Sequence, residues 1–305
     1  MNHTNYQEAV KEAVKPKFKG RKTVQCRVVP RYPDTAEREF ARINRAYIRL
    51  LNKTLKDHLP EIMEAYKQEM RGDSREDSIS DFSDKVRKQI YAMAAELEEA
   101  LEKFGLHKAV EKIARIAQTT SVKEWKRAVK NTLGIDIFGD YYKGETYEQI
   151  VQQWIASNVS MIKSIPDDTL LDMEEIILDG YREGKRVGDL RKEIQDKYNL
   201  TKRKAEMLAR DQISTLNAEL TKEQHKDAGV KRYKWSSSKD SRVRECHQEF
   251  DGHIYSWDDP PEAWYSTKSK GIVYTGRKCA PGEDYCCRCC AIPVFEWEAV
   301  DLPMK

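Results

Sequence analysis

Six of the seven cysteines fall between residues 236 and 297: Cys246, Cys279, Cys286, Cys287, Cys289 and Cys290. His247 and His253 lie in the same stretch. Thiolate sulfur and imidazole nitrogen are the donors that zinc takes in tetrahedral sites. Cys286 and Cys289 form a C-x2-C pair, and so do Cys287 and Cys290, so two overlapping pairs compete for any ion. His247, Cys279, Cys287 and Cys289 make one candidate ligand set. Four protein ligands leave no open coordination position, so zinc held this way is structural rather than catalytic. The alternative is that the thiols pack as small hydrophobes or form a redox-labile pair.

Other reactive side chains give weaker signals. Asp240, Asp251, Asp258 and Asp259 are nearby carboxylates, but Asp251-Gly252 reads more simply as a hairpin turn. Cys246 stands beside His247, and adjacency in sequence does not make a nucleophile–base pair. The chain has no G-x-G-x-x-G or G-x4-G-K-[ST] phosphate loop, no G-x-S-x-G elbow and no H-E-x-x-H. No catalytic residue is assigned.

Positive charge is unevenly placed. Residues 1–33 hold eight Lys or Arg against two Glu, a net +6, so the rest of a chain of net +3 carries −3. Lys15, Lys17, Lys19, Arg21 and Lys22 are the centre of this basic segment. It reads as a flexible arm suited to nucleic acid or to an acidic protein face. A second strip runs through Lys202, Arg203, Lys204 and Arg210, then Lys231, Arg232 and Lys234 with Tyr233 and Trp235 interleaved. Basic and aromatic residues in alternation suit a phosphate backbone. The other reading is a solvated helix face balanced by Glu206 and Asp211.

Helices have to position this chemistry. The 305 residues are 34% charged, and the mean hydropathy is −0.79. That balance suits long helices with solvated faces. No run of about 18 or more apolar residues and no apolar leader are present, so a soluble protein made in a cytoplasm without a membrane anchor is expected. Phe40, Ile43, Tyr47, Leu50, Leu51 and Leu55 make one helical stripe after Asp34, ended by Pro60. A short helix follows over 62–70, then a polar linker at 71–77. Further stripes cover 79–104, 110–117 and 122–133, the last ended by Gly134. After a loop at 135–144 the pattern resumes over 147–162, breaks at Pro166, and returns over 170–177, 190–198 and 205–220. Gly229 is the expected stop. The period then changes. Short strands are expected at 233–235, 253–257, 272–274 and 291–297. The fold class is mainly α: an elongated helical bundle followed by a small α+β cysteine-rich C-terminal module. The expected division is a basic arm over 1–33, a helical domain over 34–144, a second helical part over 145–229 and the module over 230–305.

One ordered set of motifs runs through the second half. Asp240, Arg242, Val243, Arg244, His247, Asp251 and Gly252 spell D-x-R-V-R-x-x-H-x-x-x-D-G. Pro281, Gly282, Glu283 and Asp284 follow, then Cys287-Arg288-Cys289 and Pro293. Upstream stands Ala209-Arg210-Asp211-Gln212. The set resembles the minor head proteins of tailed phages, the Mu F-like head morphogenesis family, over roughly 145–297. The first 140 residues carry no motif of that family. The family often has His before Pro-Gly-Glu-Asp; this chain has Ala280 there, Cys279 one residue earlier, and extra thiols at Cys286 and Cys290.

The resemblance implies a virion component rather than an enzyme. It implies a protein present in few copies, associated with the portal or the procapsid interior, and assisting head assembly and the packaging or delivery of double-stranded DNA. Its place would be the phage head, and the host cytoplasm during assembly. The competing reading is a zinc-stabilised nucleic-acid-binding protein without a capsid role.

Overall fold

The computed structural model describes residues 3–69, 78–198 and 201–305. The linker expected at 71–77 lies outside the described residues. The fold is mainly α, with a small sheet-containing C-terminal region. The helices are α1 (His3–Phe18), α2 (Asp34–Glu69), α3 (Ser78–Phe104), α4 (Leu106–Leu133), α5 (Glu145–Arg182), α6 (Val187–Tyr198), α7 (Thr201–Asp227) and α8 (Glu245–Phe250). The strands are β1 (Thr23–Gln25), β2 (Arg232–Ser236), β3 (Ile254–Ser256), β4 (Glu262–Thr267), β5 (Gly271–Lys278) and β6 (Cys290–Glu296).

Contacts divide the chain into two units. One comprises Met1–Arg38, Lys112–Trp154 and Leu208–Lys305; the other comprises Glu39–Glu111 and Ile155–Met207. The consecutive division expected from sequence is therefore replaced by an interleaved one. The cause is helix length: α2, α4, α5 and α7 each contribute residues to both units.

Three expected helix breaks are absent. α2 runs through Pro60 and α5 through position 166, while α4 joins the stretches expected at 110–117 and 122–133. Proline removes one backbone donor and crowds the carbonyl four residues earlier. In α2 the buried stripe Leu51, Leu55, Leu59, Ile62, Met63 and Tyr66 continues across it, and that packing outweighs the local penalty. Between Ala117 and Val122 the sequence holds no breaker at all. In the second unit this stripe packs with Val86, Ile90, Met93 and Leu97 of α3 and with Leu170, Met173 and Ile177 of α5. Tyr66 closes the cluster by donating its hydroxyl to the carbonyls of Gly180 and Lys185, both at 2.8 Å.

The basic segment 1–33 is not a free arm. Val10, Val14 and Phe18 recur every fourth residue along α1 and are buried, while Lys15, Lys17 and Lys19 stay outside. Phe18 meets Trp297 edge to face at 5.3 Å. β1 then pairs antiparallel with β6. Three apolar residues among many lysines gave too faint a stripe to read.

The main sheet has the order β1-β6-β2-β3, and all of its pairs are antiparallel. β6 has neighbours on both sides, and Ala291 to Phe295 are all buried. Trp125 of α4 packs beneath it, 5.9 Å from the Phe295 ring and 5.3 Å from His225. β4 and β5 form a separate two-stranded ribbon, on which Tyr265, Ile272 and Tyr274 are exposed. No described helix is long and apolar enough to cross a membrane.

Candidate functional site

The first unit gathers the sequence motifs around His247. The imidazole stands on α8, a six-residue helix absent from the sequence expectation. α8 buries Cys246, His247 and Phe250 against Trp235 of β2, whose ring lies 5.1 Å from His247 and 5.2 Å from Phe250. Cys287 and Cys289 arrive from the segment that leads into β6. Their sulfurs lie 3.6 and 3.9 Å from His247 Nδ1. Arg288, between them, turns the other way and places Nη2 3.1 Å from Glu37 Oε1. The C-R-C order thus sends two thiols to one side and a guanidinium to the other, as period-two geometry requires.

His247 also faces Asp284. Its Nε2 lies 3.5 Å from Asp284 Oδ2, yet this buried nitrogen makes no hydrogen bond. Asp284 is held from other sides as well. Arg244 Nη1 stands 3.2 Å away, Arg277 pairs with Oδ1, and the Tyr285 backbone N–H donates to Oδ1 at 2.9 Å. Burial works to raise this carboxyl, but the neighbouring His247 imidazole and the Arg244 charge win and bring it down to about 2. Burial likewise opposes a charged His247; Asp284, Cys279 and Cys287 overcome it and lift the imidazole to about 11. The Cys289 thiol, as hydrogen-bond donor, pulls Cys287 well below its ordinary value, and Cys289 itself moves up. Two buried donor triples result, each with its atoms within 4.8 Å of one another: His247, Cys287 and Cys289; and His247, Cys279 and Asp284. The four residues singled out from sequence therefore converge on His247, although Cys279 sits in the second triple. Cys246, Cys279, Cys287 and Cys289 are free thiols.

The remaining motif residues are structural partners of this centre. Arg210 and Arg288 both meet Glu37, at 3.5 and 3.1 Å. Arg210 was expected on an open basic strip; its charge is instead engaged by a carboxylate from the start of α2. Asp211 Oδ1 accepts the Cys286 backbone N–H at 2.7 Å, tying α7 to the cysteine segment. Cys286 needs that anchor, since it sits at φ +54, a conformation unfavourable for a side chain with Cβ. Gly282 sits at φ +88, where an added Cβ would approach the Ala218 methyl to 3.0 Å, so Pro281-Gly282 turns tightly against α7. Asp240 accepts from the Arg242 backbone N–H at 2.9 Å and closes a local turn. Asp251 Oδ1 accepts the Ser237 N–H at 2.7 Å, and Gly252 at φ +84 carries the chain from α8 into β3. A small cavity of about 30 Å³ opens beside His247, Cys287 and Cys289, rimmed by Arg210, Arg242 and Arg244.

Residues 172–292 match the family of Phage Mu protein F like proteins. The match begins within α5 and ends within β6, and it contains all of the donors around His247. The resemblance read from the motif order is borne out over this Mu F-like stretch, which is shorter than the 145–297 expected. An uncharacterized protein of Haemophilus influenzae is 35% identical over 168 residues, 55% of this chain and 34% of that protein. The chain thus spans about a third of the length of the curated relative it matches. No solved structure matches the chain.

The other basic residues named from sequence take a different place. Lys17, Lys19 and Arg21 line a groove of about 890 Å³ with Arg27, Lys234 and Lys239. Lys15 pairs with Glu12 at 3.0 Å, and Lys22 is exposed beside β1. Sequence reasoning missed Glu37 and gave Asp284 and Arg277 no role at this centre. Asp284 carried a signal, as the last residue of Pro-Gly-Glu-Asp. Glu37 carried none, because it lies outside the motif region and reaches the site through the tertiary fold.

Proposed function

We propose that this chain is a minor component of a phage head that acts in head morphogenesis by docking on the portal or another protein of the procapsid interior. The match of residues 172–292 to Phage Mu protein F like proteins carries this reading. On this reading the chain works as a structural part rather than as an enzyme. The motif side chains that look reactive in sequence are engaged: Arg244 with Asp284 of the same motif set, and Arg210 and Arg288 with Glu37 from outside it. The protein would reside in the virion and meet its partners in the host during assembly.

The test is co-expression with the portal protein of the same phage, followed by gradient sedimentation. The chain is expected to travel with portal rings and with procapsids. Recovery only as free protein, with portal rings formed normally beside it, would overturn the reading.

The groove bordered by Lys17, Lys19, Arg21, Arg27, Lys234 and Lys239 favours a second reading, contact with double-stranded DNA. Phosphate contacts release counterions, so such binding weakens steeply with salt. Affinity for duplex DNA that falls with salt, together with normal heads in the absence of the chain, would favour a DNA-binding role outside the capsid.

A further inference from the structure

We infer that His247 Nδ1, Cys287 Sγ and Cys289 Sγ hold a zinc-class metal ion, that Cys279 is its fourth ligand, and that Asp284 orients the histidine from behind. The first argument is distance. Zinc bonds of about 2.0 Å to nitrogen and 2.3 Å to sulfur, at tetrahedral angles, place the two donors about 3.5 Å apart. The Cys287 and Cys289 sulfurs lie 3.6 and 3.9 Å from Nδ1. Thiols that merely fill an apolar core have no reason to converge on one imidazole nitrogen. The second argument is the buried Nε2, which has no hydrogen-bond partner although Asp284 Oδ2 stands 3.5 Å away. A metal on Nδ1 fixes the proton on Nε2, and the carboxylate then has a defined donor to receive. Histidine ligands are commonly oriented in this way by a carboxylate. Asp284 is itself held in place by Arg244 and Arg277.

Cys279 is buried and belongs to the triple with His247 and Asp284. Turning its side chain onto the ion would close the fourth position and make the site structural. The ligands come from α8, the end of β5 and the lead into β6. The ion would therefore tie down the β3 and β4–β5 excursion that the chain makes between His247 and Cys287. A region with so small a core of its own gains most from such a staple.

The test uses the full chain, purified under reducing conditions. Elemental analysis should give about one zinc per chain. Cobalt(II) exchanged into the site should show an intense thiolate-to-cobalt charge-transfer band, with the strong visible bands of a tetrahedral ion. Cys287→Ser should lose the metal, whereas Cys246→Ser should keep it. Cys279→Ser should weaken the charge-transfer band as three thiolates become two. Asp284→Asn should retain the ion but bind it about 10–100-fold more weakly. Wild-type chain that carries no zinc and gives no thiolate band with cobalt(II) would overturn the proposal, whatever the variants do. An unchanged band in Cys279→Ser would overturn the assignment of the fourth ligand.

Discussion

At the scale of single residues, Glu37 ties together two arginines of the motif set. Two guanidiniums, Arg210 and Arg288, meet its carboxylate, and all three side chains are largely shielded. Arg288 also lies over the Tyr32 ring at 5.6 Å. Removing the carboxylate leaves two charges short of a partner, which costs more than the pair itself contributes. Glu37→Ala should lower stability by about 2–3 kcal/mol in denaturant unfolding, less than for a fully buried pair because solvent reaches the site. No loss would show that solvent already satisfies both arginines. His225 gives a second residue-scale outcome. It is buried, accepts a hydrogen bond from Trp257 Nε1 at 3.2 Å, and burial depresses its pKa from 6.5 to about 3. The unfolded chain therefore binds one more proton between those values, and stability falls as pH drops from about 6.5 towards 3. One proton allows a slope of at most about 1.4 kcal/mol per pH unit. Unfolding followed by Trp fluorescence at neutral and mildly acidic pH checks this; a flat profile across the window would contradict it.

At the scale of elements, turns and breakers decide what was legible. Gly134 and Gly229 both close helices at positive φ, as the sequence suggested, and Gly229 is the more constrained. A Cβ there would fall 1.8 Å from the Ala299 carbonyl oxygen, which no side-chain movement relieves. Gly229→Ala should cost at least about 3 kcal/mol, through strain at φ +70 and displacement of the C-terminal segment, and thermal melting would register it. Pro60 argues in the opposite direction. In sequence it signals a helix end, yet it lies exposed inside α2, where it deletes a backbone hydrogen bond. Pro60→Ala should raise stability by about 1–3 kcal/mol and leave helix content unchanged or higher by circular dichroism. Destabilisation would mean that the core around Leu59 and Ile62 depends on the proline ring itself. The short elements α8, β1 and β4 escaped the sequence reading for a common reason. Each is stabilised by what it packs on or pairs with, and so short a periodic pattern cannot be told from a loop.

At the scale of the whole molecule, the chain builds two units by threading four helices through both. Local patterns reported helix existence well and domain boundaries poorly, because apolar stripes do not say which stretches far apart in sequence will meet. The site was legible in its parts: His247, Cys279, Cys287 and Cys289 were singled out, and they converge. What sequence could not supply was the wiring, with Asp284 behind the histidine and Glu37 beneath the arginines. That wiring gives the ordered motifs a physical cause, since D-x-R-V-R, P-G-E-D, C-R-C and A-R-D-Q supply complementary groups to one centre.

We propose a place in the phage head for this chain, and quantitative mass spectrometry of particles checks it. Heads, tails and residual lysate from a phage that encodes this chain would be separated and each assayed against the portal protein. The chain is expected in heads, at a few copies per portal ring, and scarce elsewhere. Filled, normal heads that lack the chain at every stage of assembly, with all of it free in the lysate, would rule out a place in the head.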